Sequence, residues 1–387
     1  MIATTADVSC TLAEFDFSGI EAVLVGYRQQ HLNSQHARDY IRLARLGVHA
    51  AVCARAIGQP ADLTWPDEKL GKYLKAIKSD HPFEYDISKR TVHGNNFGMS
   101  VYGMVEKFPQ YYPTLKRAQE FQQFYYDVAP SLSDQQSELR RHAREYGFLG
   151  GPAQPGRPSH WDHPYGYRHW FWDVLSYQPI DEHTARRWLG DPLRKSRIVQ
   201  MHGRWFQTKP GNDWNRVIAF YPQSIAAGRL KEVQRRLFLP WSPDYIGDAY
   251  FGRTPLLAPI HDSLLLHIPN RILDRVIEIV SRVMQEPSQY LPIPLDWGWG
   301  PFLPIGISAK AGKNWAPRLT AEEIAKIQAK AAAAGKPVPA ELTPNDQGMA
   351  DIEIPQWVYN AGADDPVLPR EGEGDLEEWQ MLQRSVA

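Results

Sequence analysis

The chain has 387 residues, enough for two or three packed subdomains. A hydrophobic fraction of 43% is ordinary for a globular protein, and a formal net charge of -1 excludes a uniformly basic polyanion binder while leaving room for a local basic groove. Two cysteines, Cys10 and Cys53, exclude a disulfide framework or a cysteine-rich metal centre; with no apolar run of membrane-spanning length, a cytoplasmic protein without a membrane partner is expected.

In chain order, residues 10–15 (CTLAEF) read as a short buried strand. Asp16-Phe17-Ser18 then interrupts the pattern, and Ser18 is placed to cap a helix that begins at Gly19. Residues 36–57 read as one helix. Residues 86–104 have helical spacing with Asp86 as cap, weakened by Gly94 and Gly98. A strong helix is predicted over 113–145 with a break near Pro130. Residues 146–215, rich in Gly, Pro, His and Trp, read as elaborated loops and strands. Residues 223–238 form an amphipathic helix candidate. Residues 256–268 (LLAPIHDSLLLHI) read as a hairpin with His261-Asp262 at the turn. An amphipathic helix follows over 270–284, with Ile272, Val276, Ile279 or Val280, and Val283 on one face. In the tail, Thr320 and Glu323 have capping-box spacing for a helix to Ala334, stopped by Gly335-Lys336-Pro337. Beyond 361, seven acidic residues against two arginines predict a mobile acidic extension.

The chemistry starts from two carboxylates. Asp16 stands at the end of a buried strand, and Asp262 at a turn between two apolar strands. If those strand ends lie side by side, the carboxylates converge into a nest for hard divalent cations such as Mg²⁺. Two such ions suit a phosphoryl displacement. Taken singly, an aspartate before a helix is ordinarily a cap, and one in a hairpin is ordinarily turn chemistry. The third element is the 86–104 helix, where Lys89, His93 and Phe97 recur every four residues and share a broad face. Charge for phosphate and rings for a base suit a nucleoside triphosphate. Taken alone, Lys89 would be an ordinary solvated lysine and Phe97 a packing residue.

Together these segments resemble family A DNA polymerases of the bacterial DNA polymerase I type. FDFSGIE (15–21) looks like motif A, KRTVHGNNFGMS (89–100) like motif B, and IHDSLLLHI (260–268) like motif C. YPQSIAAGRLK (221–231) resembles the helix that lies between motifs B and C, and the order is the family's order. LPIPL (291–295) and GKNW (312–315) resemble its usual ending, so the similarity covers about residues 10–317.

The resemblance implies an α+β palm, an antiparallel sheet with packed helices, carrying an inserted helical fingers subdomain. It assigns 1–30 to palm, 31–145 to fingers, 146–215 to an insertion, 216–317 to palm again and 318–387 to an extension. Asp16 and Asp262 would ligate two Mg²⁺ ions, with the Phe17 main-chain carbonyl as a further ligand. Lys89 would contact the triphosphate and protonate the leaving pyrophosphate. Glu21 matches the steric gate against a ribose 2′-hydroxyl, which argues against an RNA polymerase. Phe97 matches the aromatic that stacks near the templating base, Gly98 the close approach beside it, and His93 a ring beneath the sugar. Gln223 and His261 match contacts to the DNA primer-template. Implied partners are that primer-template and deoxynucleoside triphosphates, in a bacterial or phage-infected cell.

Several positions depart from the family pattern. Tyr85 stands where an arginine is usual one turn before the lysine, so Arg90 is the candidate for that phosphate contact. Ser263 replaces the usual glutamate after His-Asp. Residues 150–185 are longer than the plain pattern: Arg168 and His169 on a DNA backbone, or a tryptophan-rich structural subdomain, are both open. Motif A begins within the first 16 residues, so the thumb and exonuclease are expected to be absent: one half of a split polymerase whose second chain carries them, a fragment, and a gene product lacking the primer-template clamp are all open. A non-catalytic, polymerase-derived DNA-binding subunit is the competing reading.

Overall fold

A computed structural model describes residues 10–153, 159–191, 197–246, 256–333 and 344–355. The chain divides into two compact units, one of Met1–Ile20 with Ala226–Ala387 and one of Glu21–Ile225.

The first unit is built on an antiparallel sheet of order β10-β9-β1-β8-β7: β1 (Cys10–Phe17), β7 (Leu256–Ile260), β8 (Ser263–Pro269), β9 (Ile307–Gly312) and β10 (Ala350–Asp351). β1 runs two residues beyond the expected 10–15. Asp16 pairs with Ser263 on one side and Ser308 on the other, and two flanking ladders hold a carboxylate residue in the strand against its low β propensity. Alternation along β1 buries Ala13, Phe15 and Phe17 on one face and leaves Glu14 and Asp16 half-buried on the other. The expected hairpin is present, with His261 in the left-handed region at φ 54 turning β7 into β8.

A 3₁₀ turn (Asn270–Ile272) leads into a helix over Leu273–Gln285, labelled α11 below, which packs on β1, β8 and β9. Val276, Ile279, Val280 and Val283 are buried as their spacing requires, whereas Ile272 precedes the α-helix and is only half-buried. Helix α12 (Ala321–Ala333) has the expected capping box: the Thr320 amide donates to Glu323 Oε2 (2.7 Å) and the Glu323 amide to Thr320 Oγ1 (3.1 Å). Its expected stop and the acidic tail lie outside the described residues.

The second unit begins with most of α1 (Ile20–Tyr27), followed by α2 (Ser34–Leu46), α3 (Val48–Ala56), α4 (Asp67–Asp80), α5 (Pro82–Asn96), α6 (Val101–Lys107), α7 (Leu115–Val128) and α8 (Leu132–Tyr146). The single helix expected over 36–57 is two. Gly47 sits at φ 137, where only glycine is comfortable, and breaks the α-helical run between α2 and α3. Helix α5 starts at Pro82, not Asp86, because proline is pre-set for a first helical turn. Asp86 therefore lies inside the helix and accepts a hydrogen bond from the Tyr111 hydroxyl instead of capping. The helix also ends at Asn96, short of 104, with Phe97 at its C-cap. The strong helix over 113–145 is interrupted at Ala129–Ser131, as Pro130 predicts.

Residues 146–215 supply β2 (Phe148–Gly150) paired with β3 (Arg168–Trp170). They also supply β4 (Leu175–Ile180), β5 (Ile198–Met201) and β6 (Arg204–Pro210) in the order β4-β6-β5, with α9 (Glu182–Leu189) against β5 and β6. Helix α10 (Arg216–Phe238) starts seven residues before the expected 223 and carries Pro222 within it. Among the described residues, no helix is long and apolar enough to cross a membrane.

Candidate active site

In the first unit the structure brings Asp16 and Asp262 together. Asp16 ends the half-buried face of β1, and the turn that begins β8 places Asp262 beside it. The Phe17 amide donates to the Asp262 carbonyl (3.4 Å), and the two side chains share a hydrogen bond. Burial, then the charges of Asp262 and Glu14, push Asp16 up to about 7, with Lys310 acting the other way. Burial also raises Asp262, while its own backbone, His261 and the hydrogen bond from Asp16 lower it. Both carboxyls are therefore held above the ordinary carboxylate range. His261 is exposed at the turn, and Phe17 closes β1 with its ring buried.

Glu14 was missed in reading the sequence. It stands two residues before Asp16 on the same strand face, accepts from Ser263 Oγ (3.2 Å) and Trp315 Nε1 (3.2 Å), and adds a third carboxylate to the cluster. The signal that finds it is the i, i+2 spacing with Asp16. Ser263, which follows Asp262, thus bonds to a glutamate supplied by β1.

The residue types fit Mg²⁺. Paired carboxylates that must share a proton when left together form a hard-oxygen site in which a divalent cation can replace the proton.

In the second unit, Lys89, Arg90, His93 and Phe97 line one cavity of about 550 Å³, together with Asp86 and Lys107. Lys107 comes from α6, beyond the 86–104 segment whose spacing aligned the other residues. Three cations face one carboxylate here, so the cavity favours a polyanion. Arg90 is partly committed: its guanidinium lies 3.8 Å from Asp86, 4.6 Å from the Tyr111 ring centroid and 5.1 Å from that of Phe108. Lys89 is exposed. Burial, then Lys89, lower the His93 pKa, so this ring is neutral near pH 7 and offers a face rather than a charge. His49 lies 5.1 Å from it and is itself lowered to about 3 by burial and by His93. Tyr85 packs edge-on against His49.

Buried polar bonds hold the cavity's main helix. The Tyr40 and Tyr125 hydroxyls meet at 2.6 Å and both reach Asn96 Oδ1 at the end of α5. Gln136 donates to the Asn95 carbonyl (2.6 Å), and Thr91 Oγ1 meets the Tyr112 hydroxyl (2.8 Å). Gly98, at φ 73, ends this helix. A Cβ there would stand 2.5 Å from Ile218 Cδ1 and 2.8 Å from Arg140 Nη2, so both conformation and space demand glycine. Glu21 is half-buried in the first turn of α1, and Gln223 is exposed on α10.

No protein-family model matches the chain, and no curated protein matches it. A search of solved structures finds similarity to the POL domain of Pol1 from M. smegmatis, in complex with DNA primer-template and dNTP. Identity is 16% and the TM-score 0.48; the match covers 81% of this chain and 41% of that chain. The match thus spans less than half of that chain's length.

Proposed function

We propose that the protein is a DNA-directed DNA polymerase core that adds deoxynucleotides to a primer 3′-hydroxyl. The observation that carries this reading is the Asp16–Asp262 pair: two carboxylates brought together at adjoining strand ends, with Glu14 beside them. Asp16, Asp262 and the Phe17 carbonyl would hold two Mg²⁺ ions. Bound there, the ions would activate the attacking hydroxyl and stabilise the leaving oxygen. Lys89 would bind the triphosphate and donate a proton to pyrophosphate, with Lys107 and Arg90 adding positive charge to the same cavity. Neutral His93 would lie against the sugar, and Phe97 would stack on the base pair beside Gly98. Glu21 would exclude a 2′-hydroxyl, and Gln223 and His261 would contact primer-template.

The test is primer extension by the full chain with Mg²⁺ and deoxynucleoside triphosphates. Loss of a group that stabilises transition-state charge by several kcal/mol corresponds to a fall of about a thousandfold. Asp262→Ala and Asp16→Asn are each expected to show that fall with folding intact. Equal extension by wild type and Asp262→Ala would sink the proposal.

A further inference from the structure

We infer that His31, Glu138 and His160 form a binding site for a transition-metal ion of the zinc class, separate from the carboxylate pair. The three residues come from three places in the second unit: the turn after α1, the second turn of α8, and the loop before β3. Their donor atoms all lie within 4.8 Å of one another. His31 Nε2 is 2.7 Å from Glu138 Oε2, and the His31 and His160 rings stack at 4.1 Å with 15° between their planes.

The donor set decides the class of ion. Two imidazoles and one carboxylate suit zinc and its neighbours, whereas Mg²⁺ prefers all-oxygen sites. Three protein ligands also leave a fourth position open to water or another ligand. Tetrahedral ligands about 2.1 Å from zinc lie roughly 3.4 Å apart. Binding therefore requires His31 and Glu138 to part slightly and the two stacked rings to turn about their side-chain bonds until their in-plane lone pairs converge.

The backbone of His160 is already placed for this. Its carbonyl accepts from the buried Arg28 guanidinium, which itself stacks 3.9 Å from the Tyr221 ring centroid. Asp162 closes the turn around His160 by accepting from the Ser159 amide (2.6 Å). Among the described residues, neither ring nitrogen of His160 has a hydrogen-bond partner. Arg28 and Arg141 oppose a cation here, and Glu138 and Asp162 offset them. The site would clip the 159–167 loop to α1 and α8. It does not depend on the polymerase reading.

The experiment titrates the EDTA-treated full chain with Co²⁺, followed by visible absorption, then displaces it with Zn²⁺. In the Asp16→Asn/Asp262→Asn background, which removes the carboxylate pair as a second cation site, one equivalent is expected to bind. His31→Ala and His160→Ala, with wild-type far-UV circular dichroism, should weaken binding by about a hundredfold or more. Glu138→Gln, nearly isosteric, should weaken it as well, and in the same background Zn²⁺ should raise the melting temperature of the parent but of none of the three variants. Absence of Co²⁺ and Zn²⁺ binding by the Asp16→Asn/Asp262→Asn parent, or undiminished affinity in the three variants built on it, would overturn the proposal.

Discussion

A carboxylic acid that keeps its proton to about pH 7 alters stability in a predictable direction. Asp16 is raised by burial and by its acidic neighbours Asp262 and Glu14, so its folded pKa lies above the unfolded value of 3.8. Its contribution to stability is complete below about pH 4 and is lost as pH rises towards 7. Asparagine imitates the protonated acid and escapes that loss. In EDTA, Asp16→Asn should melt near wild type at pH 4 and above it at pH 8. Discounted for a site partly open to solvent, the gap is about 1 kcal/mol, or roughly 1 °C for a chain of this length. Mg²⁺ should narrow the gap by stabilising wild type alone. Parallel melting curves across pH 4–8, from differential scanning fluorimetry, would remove the argument for a strained carboxylate pair.

At the scale of elements, the C-terminus of α11 rests on one buried cation. Arg229 of α10 is 1% exposed and donates from Nη2 to the carbonyls of Val283 (3.0 Å), Met284 (3.1 Å) and Glu286 (2.6 Å), with Glu232 as its ion partner. Those carbonyls are groups a helix end leaves unsatisfied. Arg229→Met keeps the aliphatic bulk but strands them, and should cost about 3 kcal/mol in chemical denaturation. A cost under about 0.5 kcal/mol, the range of a neutral surface change, would show that water replaces the guanidinium.

Arg229 also marks what the sequence could not reveal. The local pattern exposed the hairpin, the face of α11 and the capping box at Thr320, because each depends on spacing within one segment. The break at Gly47 and the start of α5 at Pro82 were missed because the helical period runs smoothly through both. Glu14 was not legible because a single glutamate between Ala13 and Phe15 has the alternation of an ordinary solvent-facing strand residue. The β4-β6-β5 sheet was legible only as strands in general: many of its residues are polar, and the β4–β6 pairing joins segments some thirty residues apart. Arg229 looked like one more basic residue on an amphipathic helix, and its partners lie more than fifty positions away.

Across the whole molecule, the carboxylate pair belongs to one compact unit and the basic cavity to the other. Each can therefore be challenged by itself, and the proposed function requires both to respond in their own way. Lys89→Ala removes an exposed cation from the cavity, so it should weaken binding of a fluorescent deoxynucleoside triphosphate even in EDTA. One lost charge-assisted contact is worth about 1.5 kcal/mol or more, roughly a tenfold rise in Kd. Asp262→Asn should leave that metal-free Kd unchanged, because the carboxylate pair takes no part in metal-free phosphate binding. The two variants should exchange places when Mn²⁺ binding is followed without nucleotide by electron paramagnetic resonance: Asp262→Asn loses the ion and Lys89→Ala retains it. If Lys89→Ala left the metal-free Kd untouched, the cavity would not be the triphosphate site, and the carboxylate pair would have to find its substrate through other residues.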